Sequence, residues 1–261
     1  MIFFGTFVGE MCVDIGYKSA LGADGLPKYI AGIKIDRSLQ ETDLSIPHIQ
    51  AHTSPSCVVV ASNQTGPYAT KMTWGFVADF MVNNPALHRK YANQLFNARS
   101  EKICMRESLW NPYLSNRCLL VTAGVYEHQS VSFTTKKIPH YITLSSGDPL
   151  LIPAIYNPST NSFALITRQA NALFKEIHNA GPNKHRMPLL LPPTLAGGWI
   201  AKKISEKIIE EFFNYELNSS LLRHHTVYSL RSSEPRPDGK QTNDFFCWRG
   251  PENENNQLCL F

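Results

Sequence analysis

With 261 residues, 43% hydrophobic and 18% charged, the chain has the composition of a globular protein, which excludes a disordered or fibrous polypeptide. A net charge of +4 permits a polyanionic partner without demanding one. The six cysteines, Cys12, Cys57, Cys104, Cys118, Cys247 and Cys259, are scattered without a C-x-x-C pair or zinc spacing. They read as reduced thiols of a cytosolic protein, with no metal site and no cofactor indicated. No low-complexity linker divides the chain, so a single domain is expected.

The first ten residues, MIFFGTFVGE, carry no leading Lys or Arg and no small-residue cleavage signal, and their apolar run is too short to span a bilayer. Either they form an edge strand or residues 1–11 are a propeptide or a misassigned start, leaving a domain over 12–261. Strand character runs from Cys12 to Gly16, and Gly22 to Pro27 reads as a turn. Lys34 to Ser54 is a polar loop feeding a strand from Cys57 to Ala61. Gly66-Pro67 is a turn before Met72 to Phe80, where Trp74 is either core or a platform on which a base could stack or be wedged.

Helical spacing over Pro85 to Phe96 ends at Asn97-Ala98-Arg99-Ser100, which reads as a helix-end cap. Arg99 can grip a phosphate through its fork, and Asn97 can both donate and accept. Arg117 to Ala123 is an apolar strand leading into Gly124-Val125-Tyr126-Glu127. A pocketed carboxyl at such a strand end suits general acid-base work. Strands His140 to Leu144, Leu151 to Tyr156 and Ser162 to Thr167 follow, so the core is β-rich.

A helical turn from Asn171 to Ile177 carries His178 at its end, and after the loop Asn179 to Lys184 comes His185-Arg186-Met187-Pro188. Both histidines are candidate proton shuttles. Leu189 to Pro193 reads as a short strand, Trp199 to Phe212 as one amphipathic helix, and His225 to Leu230 as a last strand. Arg231 to Asn243 is a polar, proline-containing loop.

Met11-Cys12 has a chemical consequence. If Cys12 becomes the first residue, it carries an amine of pKa about 7.7 to 8.0 beside a thiol of about 8.5, so both have a usable nucleophilic fraction near neutrality. Such a 1,2-aminothiol condenses with an aldehyde, as an imine and then a thiazolidine. An internal Cys12 has only an amide nitrogen and cannot do so; without context it would be a small buried hydrophobe.

Six short blocks occur in one order: Met11-Cys12, Trp74-Gly75-Phe76-Val77-Ala78, Asn97 to Ser100, Ala123 to Glu127, Ile177-His178 and Arg186 to Pro188. In that order they resemble the SRAP family, the SOS response-associated peptidase proteins, from about Met11 to Leu230. The resemblance implies an α/β (α+β) fold, a single domain of bent, mainly antiparallel sheets with flanking helices. It implies covalent capture of abasic sites in single-stranded DNA, with Cys12 forming a Schiff base and then a thiazolidine. Glu127 matches the acid-base glutamate, and His178 the histidine that stabilises the sugar oxygen or relays a proton, with His185 as the alternative. Asn97 and Arg99 match residues that position the N-terminal residue and a phosphate. Trp74 would splay the strand in the DNA groove, and Arg186 would add a phosphate contact.

The chain departs from the family pattern in places. Val13-Asp14 stands where Gly-Arg is usual, His52 substitutes near Ala51 to Thr53, His128 follows Glu127 where the family has tryptophan, and extra residues separate His178 from Arg186. Register favours His178 over His185. The expected setting is a monomer acting on DNA in the cytoplasm or nucleoid, away from membranes. Two other readings compete: a cysteine-type peptidase that cuts its own Met11-Cys12 bond with help from His178 and Glu127, and a non-covalent single-strand-binding module using Trp74, Arg99 and Arg186.

Overall fold

The structure is a computed structural model that describes residues 14–17, 23–132 and 134–248. Its strands, in chain order, are β1 (Asp14–Gly16), β2 (Lys34–Ile35), β3 (Ile49–Gln50), β4 (Ser56–Asn63), β5 (Gly66–Trp74), β6 (Asn97–Arg99), β7 (Arg117–Thr122), β8 (Gly124–Gln129), β9 (Ile138–Leu144), β10 (Leu150–Asn157), β11 (Ser162–Gln169), β12 (Arg186–Pro188) and β13 (Leu222–Thr226). The α-helices are α1 (Asp79–Val82), α2 (Pro85–Tyr91), α3 (Ser100–Ile103), α4 (Ala172–Ile177), α5 (Pro193–Trp199) and α6 (Glu206–Asn214). The long strands take up the β-branched and aromatic runs, as expected for residues that fit a pleated, buried surface.

Two sheets result, and together with the helices they make the α+β domain that the sequence led one to expect. In the first, β13, β9, β8, β1 and β3 lie side by side, all antiparallel. The second runs β12, β11, β10, β7, β4, β5, β2. A parallel pairing of β11 with β5, Ser162 opposite Thr73 and Phe163 opposite Trp74, closes β5, β4, β7, β10 and β11 into a ring. Strand β11 has neighbours along both edges: β10 and then β12 on one, β5 and then β6 on the other. Closure of this kind removes exposed strand edges.

The main core cluster joins Ile15, Val125 and Ile142 of the first sheet to residues from both faces of the second, among them Val58, Val60, Leu119 and Ile152. Side chains alternate across a strand, so Tyr126 and Tyr141 point to the opposite face, where they form a small second cluster with Val227. The segment after β13 covers that face: the Phe246 amide donates to the Thr226 carbonyl at 2.9 Å and the Trp248 indole to the Val227 carbonyl at 2.9 Å.

Several elements differ from the sequence reading for identifiable reasons. The Asn97–Arg99 stretch is not a helix-end cap but β6, drawn into parallel register with β11. The helix before it ends early, at Tyr91, followed by a 3-10 turn over Ala92–Gln94. The single helix expected from Trp199 to Phe212 is two. Buried Arg117 donates to the carbonyls of Trp199 and Ala201 at 2.9 and 2.5 Å where α5 ends, and Ser205 starts α6 afresh by capping the Ile208 amide. The polar loop from Lys34 to Ser54 contains β2 and β3, and the apolar run from Leu189 makes only an isolated bridge, Leu191 with Leu151. Arg231 to Asn243 has no strand or α-helix, as read.

The chain passes from one sheet to the other at Ala123. Thr122 donates its hydroxyl to the Gly16 carbonyl at 2.8 Å, and the Ala123 amide reaches the same oxygen at 3.1 Å, which ties β1 to the crossing. Gly124 is required there: a Cβ would fall 2.5 Å from the Tyr141 ring and 2.8 Å from the Ile142 carbonyl. Gly124→Ala is therefore expected to destabilise the fold by about 1–3 kcal/mol, through forced backbone shift in a packed layer, measured as a lowered midpoint in urea unfolding.

Candidate active site

Strand β8 carries Glu127 in a buried position, paired in register with His140 on β9. Helix α4 packs against β8 and is short by construction. Asn171 starts it by accepting from the Phe174 amide at 3.1 Å, Phe174 and Ile177 anchor it in the core, and it ends at His178. The helix thereby delivers a buried imidazole to the buried carboxyl: His178 Nδ1 lies 3.9 Å from Glu127 Oε2, with the two side chains 8% and 6% exposed. His178 Nδ1 is also 3.0 Å from the Arg186 carbonyl. A carbonyl only accepts, so Nδ1 carries a proton in the neutral ring and Nε2 is the basic nitrogen.

Glu127 and His178 share one cavity of about 390 Å³. Its wall includes Asp14 from β1, Tyr126 and His128 from β8, Lys136, Lys137 and Pro139 at the start of β9, and Ser229, Leu230, Arg231 and Trp248 from the segments that follow β13. Asp14 is buried between His48, whose Nε2 is 2.8 Å away, and Arg231, at 3.3 Å. Where the resemblance leads one to expect an arginine, this chain has an acid and brings an arginine to it from the far end of the sequence. Tyr126 donates to the Pro47 carbonyl at 2.6 Å, and burial, then Tyr141 and Asp14, hold its phenol protonated.

The remaining residues singled out by sequence fall into three settings. Asn97 and Arg99 lie on β6, and Arg99 donates to Asn183 at 2.6 Å, reaching the loop that joins His178 to Arg186. Burial, then the neighbouring Arg186 charge, lowers the Arg99 pKa, with Glu101 opposing. His185 holds a left-handed backbone, φ 61°, its amide donating to the His178 carbonyl and its carbonyl accepting from Ala170. It is not among the residues that line the cavity, whereas His178 is. Cys12, with the rest of residues 1–13, and Cys259 lie outside the described residues.

Two readings require correction. Trp74 is 0% exposed, its indole donates to the Phe96 carbonyl at 3.0 Å, and its ring stacks on Phe163; it is core and offers no face to a base. Arg186 is 5% exposed and forms a fork with Glu101 at 2.6 and 3.0 Å while also donating to the Thr167 carbonyl. Its guanidinium closes the junction of β12, β11 and α3 and has no room for a phosphate. The cations that do reach the cavity, Lys136, Lys137 and Arg231, were missed. The Lys136-Lys137 pair was visible in a polar loop, but nothing local marked Arg231 or Trp248 as its neighbours.

Three other thiols, Cys57, Cys104 and Cys118, are poor nucleophiles. Burial pushes Cys57 up to about 12 and raises Cys118 further, while burial followed by Glu210 and Glu206 raises Cys104. Among the described residues no group of three or more His, Cys, Asp and Glu is placed to hold a metal ion, and no helix is long and apolar enough to cross a membrane.

A two-sheet α+β domain with an acid-imidazole pair in a cation-lined cavity is the class that fold and site define. The chain matches the SOS response associated peptidase (SRAP) family over residues 31–230 and belongs to that family. It is 25% identical over 181 residues to the abasic site processing protein YoqW of Bacillus subtilis (strain 168) and equally to that of Bacillus phage SPbeta, covering 67% of this chain and 75% of each relative. Among solved structures it is similar to a protein from Bacteroides thetaiotaomicron (TM-score 0.68, 22% identity, 89% of this chain and 97% of the other). It is also similar to one from Bordetella bronchiseptica (TM-score 0.65, 17% identity, 84% and 100%). The family match includes Glu127 and His178, while Cys12 precedes it and Arg231 and Trp248 follow it.

Two outcomes follow from the corrected roles. Arg186→Ala removes the fork to the half-exposed Glu101 carboxylate and the donor to the Thr167 carbonyl, and is expected to cost about 1–2 kcal/mol of stability, read by denaturant unfolding. His140 sits 3.1 Å from both His224 Nδ1 and Gln129 Oε1; burial first, then the nearby His224, His128 and His225, bring its pKa down to about 3. The unfolded chain then binds a proton that the folded one refuses between pH about 6.5 and about 3, so stability falls with falling pH across that window. His140→Gln should remove about 1.4 kcal/mol per pH unit of that slope, measured as the difference between variant and parent unfolding curves.

Proposed function

We propose that the protein captures abasic sites in single-stranded DNA covalently through Cys12. The observation that carries this reading is the buried Glu127–His178 pair in a cavity whose wall includes Asp14, only two residues after Cys12. An extended chain rises at most about 3.6 Å per residue, so the Cys12 α-amine is tethered close to that wall. The names of the relatives from Bacillus subtilis and its phage support the same substrate.

The chemistry requires residues 1–11 to be gone. The Cys12 amine then adds to the aldehyde of the ring-opened deoxyribose, water leaves as the imine forms, and the thiol sulfur adds to the imine carbon while its proton passes to nitrogen. Glu127, buried and facing the cavity, donates and accepts the protons of ring opening and dehydration. His178, through Nε2, serves the sugar oxygen. Cutting of the Met11-Cys12 bond by the protein itself, the peptidase reading, becomes a maturation step of this pathway.

Intact-mass measurement on parent protein incubated with abasic single-stranded DNA is expected to show loss of residues 1–11 and an adduct of protein plus DNA minus one water. Cys12→Ala should abolish the adduct. A parent protein that keeps its leading eleven residues and still forms the adduct would overturn the mechanism. Glu127→Gln should slow adduct formation on the order of a hundredfold with binding of an abasic mimic unchanged, and parent-like rates would remove it from proton transfer.

A further inference from the structure

Resting on the reading of an abasic-DNA substrate, we infer that Lys136, Lys137 and Trp248 form a subsite for the nucleotide next to the lesion, the lysines taking its phosphate and the indole stacking its base. The cavity that contains Glu127 and His178 also has these three side chains in its wall, so whatever places a sugar at the carboxyl-imidazole pair brings its neighbour to them. Both lysines are exposed, and they sit in the connection between β8 and β9, one strand away from Glu127. The two carboxylates of the wall do not cancel them. Glu127 is buried beside His178, and Asp14 is held by His48 and Arg231.

Trp248 is held in place by its own bond to the Val227 carbonyl and by an edge-to-face contact with Phe246, yet it is part-exposed. A fixed, half-open indole beside cations is the combination that binds a single-stranded nucleotide without reading its identity: a stacking surface and a phosphate charge. The buried Trp74 cannot supply that surface. Trp248 lies beyond the stretch matched by the family, residues 31–230, and the two lysines lie within it in a loop.

The inference has a convenient reporter. Of the four tryptophans, Trp74, Trp110 and Trp199 are buried, which leaves Trp248 as the indole a ligand can touch. The full chain is titrated with a single-stranded oligonucleotide carrying one tetrahydrofuran abasic mimic, which has no aldehyde and isolates binding from the covalent step. Tryptophan emission should be quenched on binding, the quench should vanish in Trp248→Phe, and it should vanish for parent protein when both neighbours of the lesion are also tetrahydrofuran. Lys136→Ala/Lys137→Ala, a change at two exposed positions, should lower the slope of log Kd against log salt by about 0.7 per lysine. Unquenched emission on saturable binding by the parent, or an unchanged salt slope in the double variant, overturns the subsite. If instead both effects are present and an aldehyde-bearing abasic oligonucleotide leaves no adduct, the subsite stands and the covalent reading falls.

Discussion

The constraint on which the site depends is the antiparallel register of β1 against β8, Asp14 opposite Tyr126 and Gly16 opposite Gly124. It is a three-residue strand, too short to hold itself, and its position is secured by what grips its two ends. Thr122 and Ala123 both bind the Gly16 carbonyl, and His48 and Arg231 both bind the Asp14 carboxylate. Those contacts set Asp14 in the wall of the cavity that holds Glu127. A slip of one residue would turn Asp14 to the other face of the sheet and break both grips.

Much of the architecture was legible in the residues. The apolar runs from Cys57, Arg117, Leu151 and Ser162 are all strands, because a continuous run of that kind is buried on both faces in a closed ring. The helical turn read from Asn171 to Ile177 is α4, with Asn171 as its N-cap and His178 at its end. What was not legible depended on distant partners. Nothing within Trp199 to Phe212 signals that Arg117, eighty-odd positions upstream, donates to the carbonyls where α5 ends. Likewise Asn97–Arg99 has no strand pattern of its own and becomes β6 only because β11 presents an open edge.

The site shows the same division. Glu127 and His178 were singled out because a carboxyl and an imidazole stand in motif positions, and the fold sets them in one cavity. Trp74 and Arg186 occupy motif positions too, yet their side chains serve the framework: one stacks inside the core, the other binds the carboxylate and carbonyl that join β12 to α3 and β11. A motif records that a residue is needed and is silent on whether the need is chemical or mechanical. Burial and partners decide that, and they are properties of the folded chain. In the opposite sense, Lys136, Lys137, Arg231 and Trp248 belong to no motif and meet only in three dimensions.

None of the residues that line the cavity belongs to the main apolar cluster; the cavity is walled by residues of β1 and β8, the connection into β9, the end of α4 and the segments beyond β13. The main apolar packing and the cavity wall are thus written in separate positions, with Asp14, Tyr126 and Arg231 serving both the wall and the hold on β1 and β8. Drift at exposed wall positions such as Lys136 and Lys137 can reshape the cavity without touching the main apolar cluster. An architecture partitioned in this way can keep its shape at 22% identity, as the similarity to the Bacteroides protein illustrates.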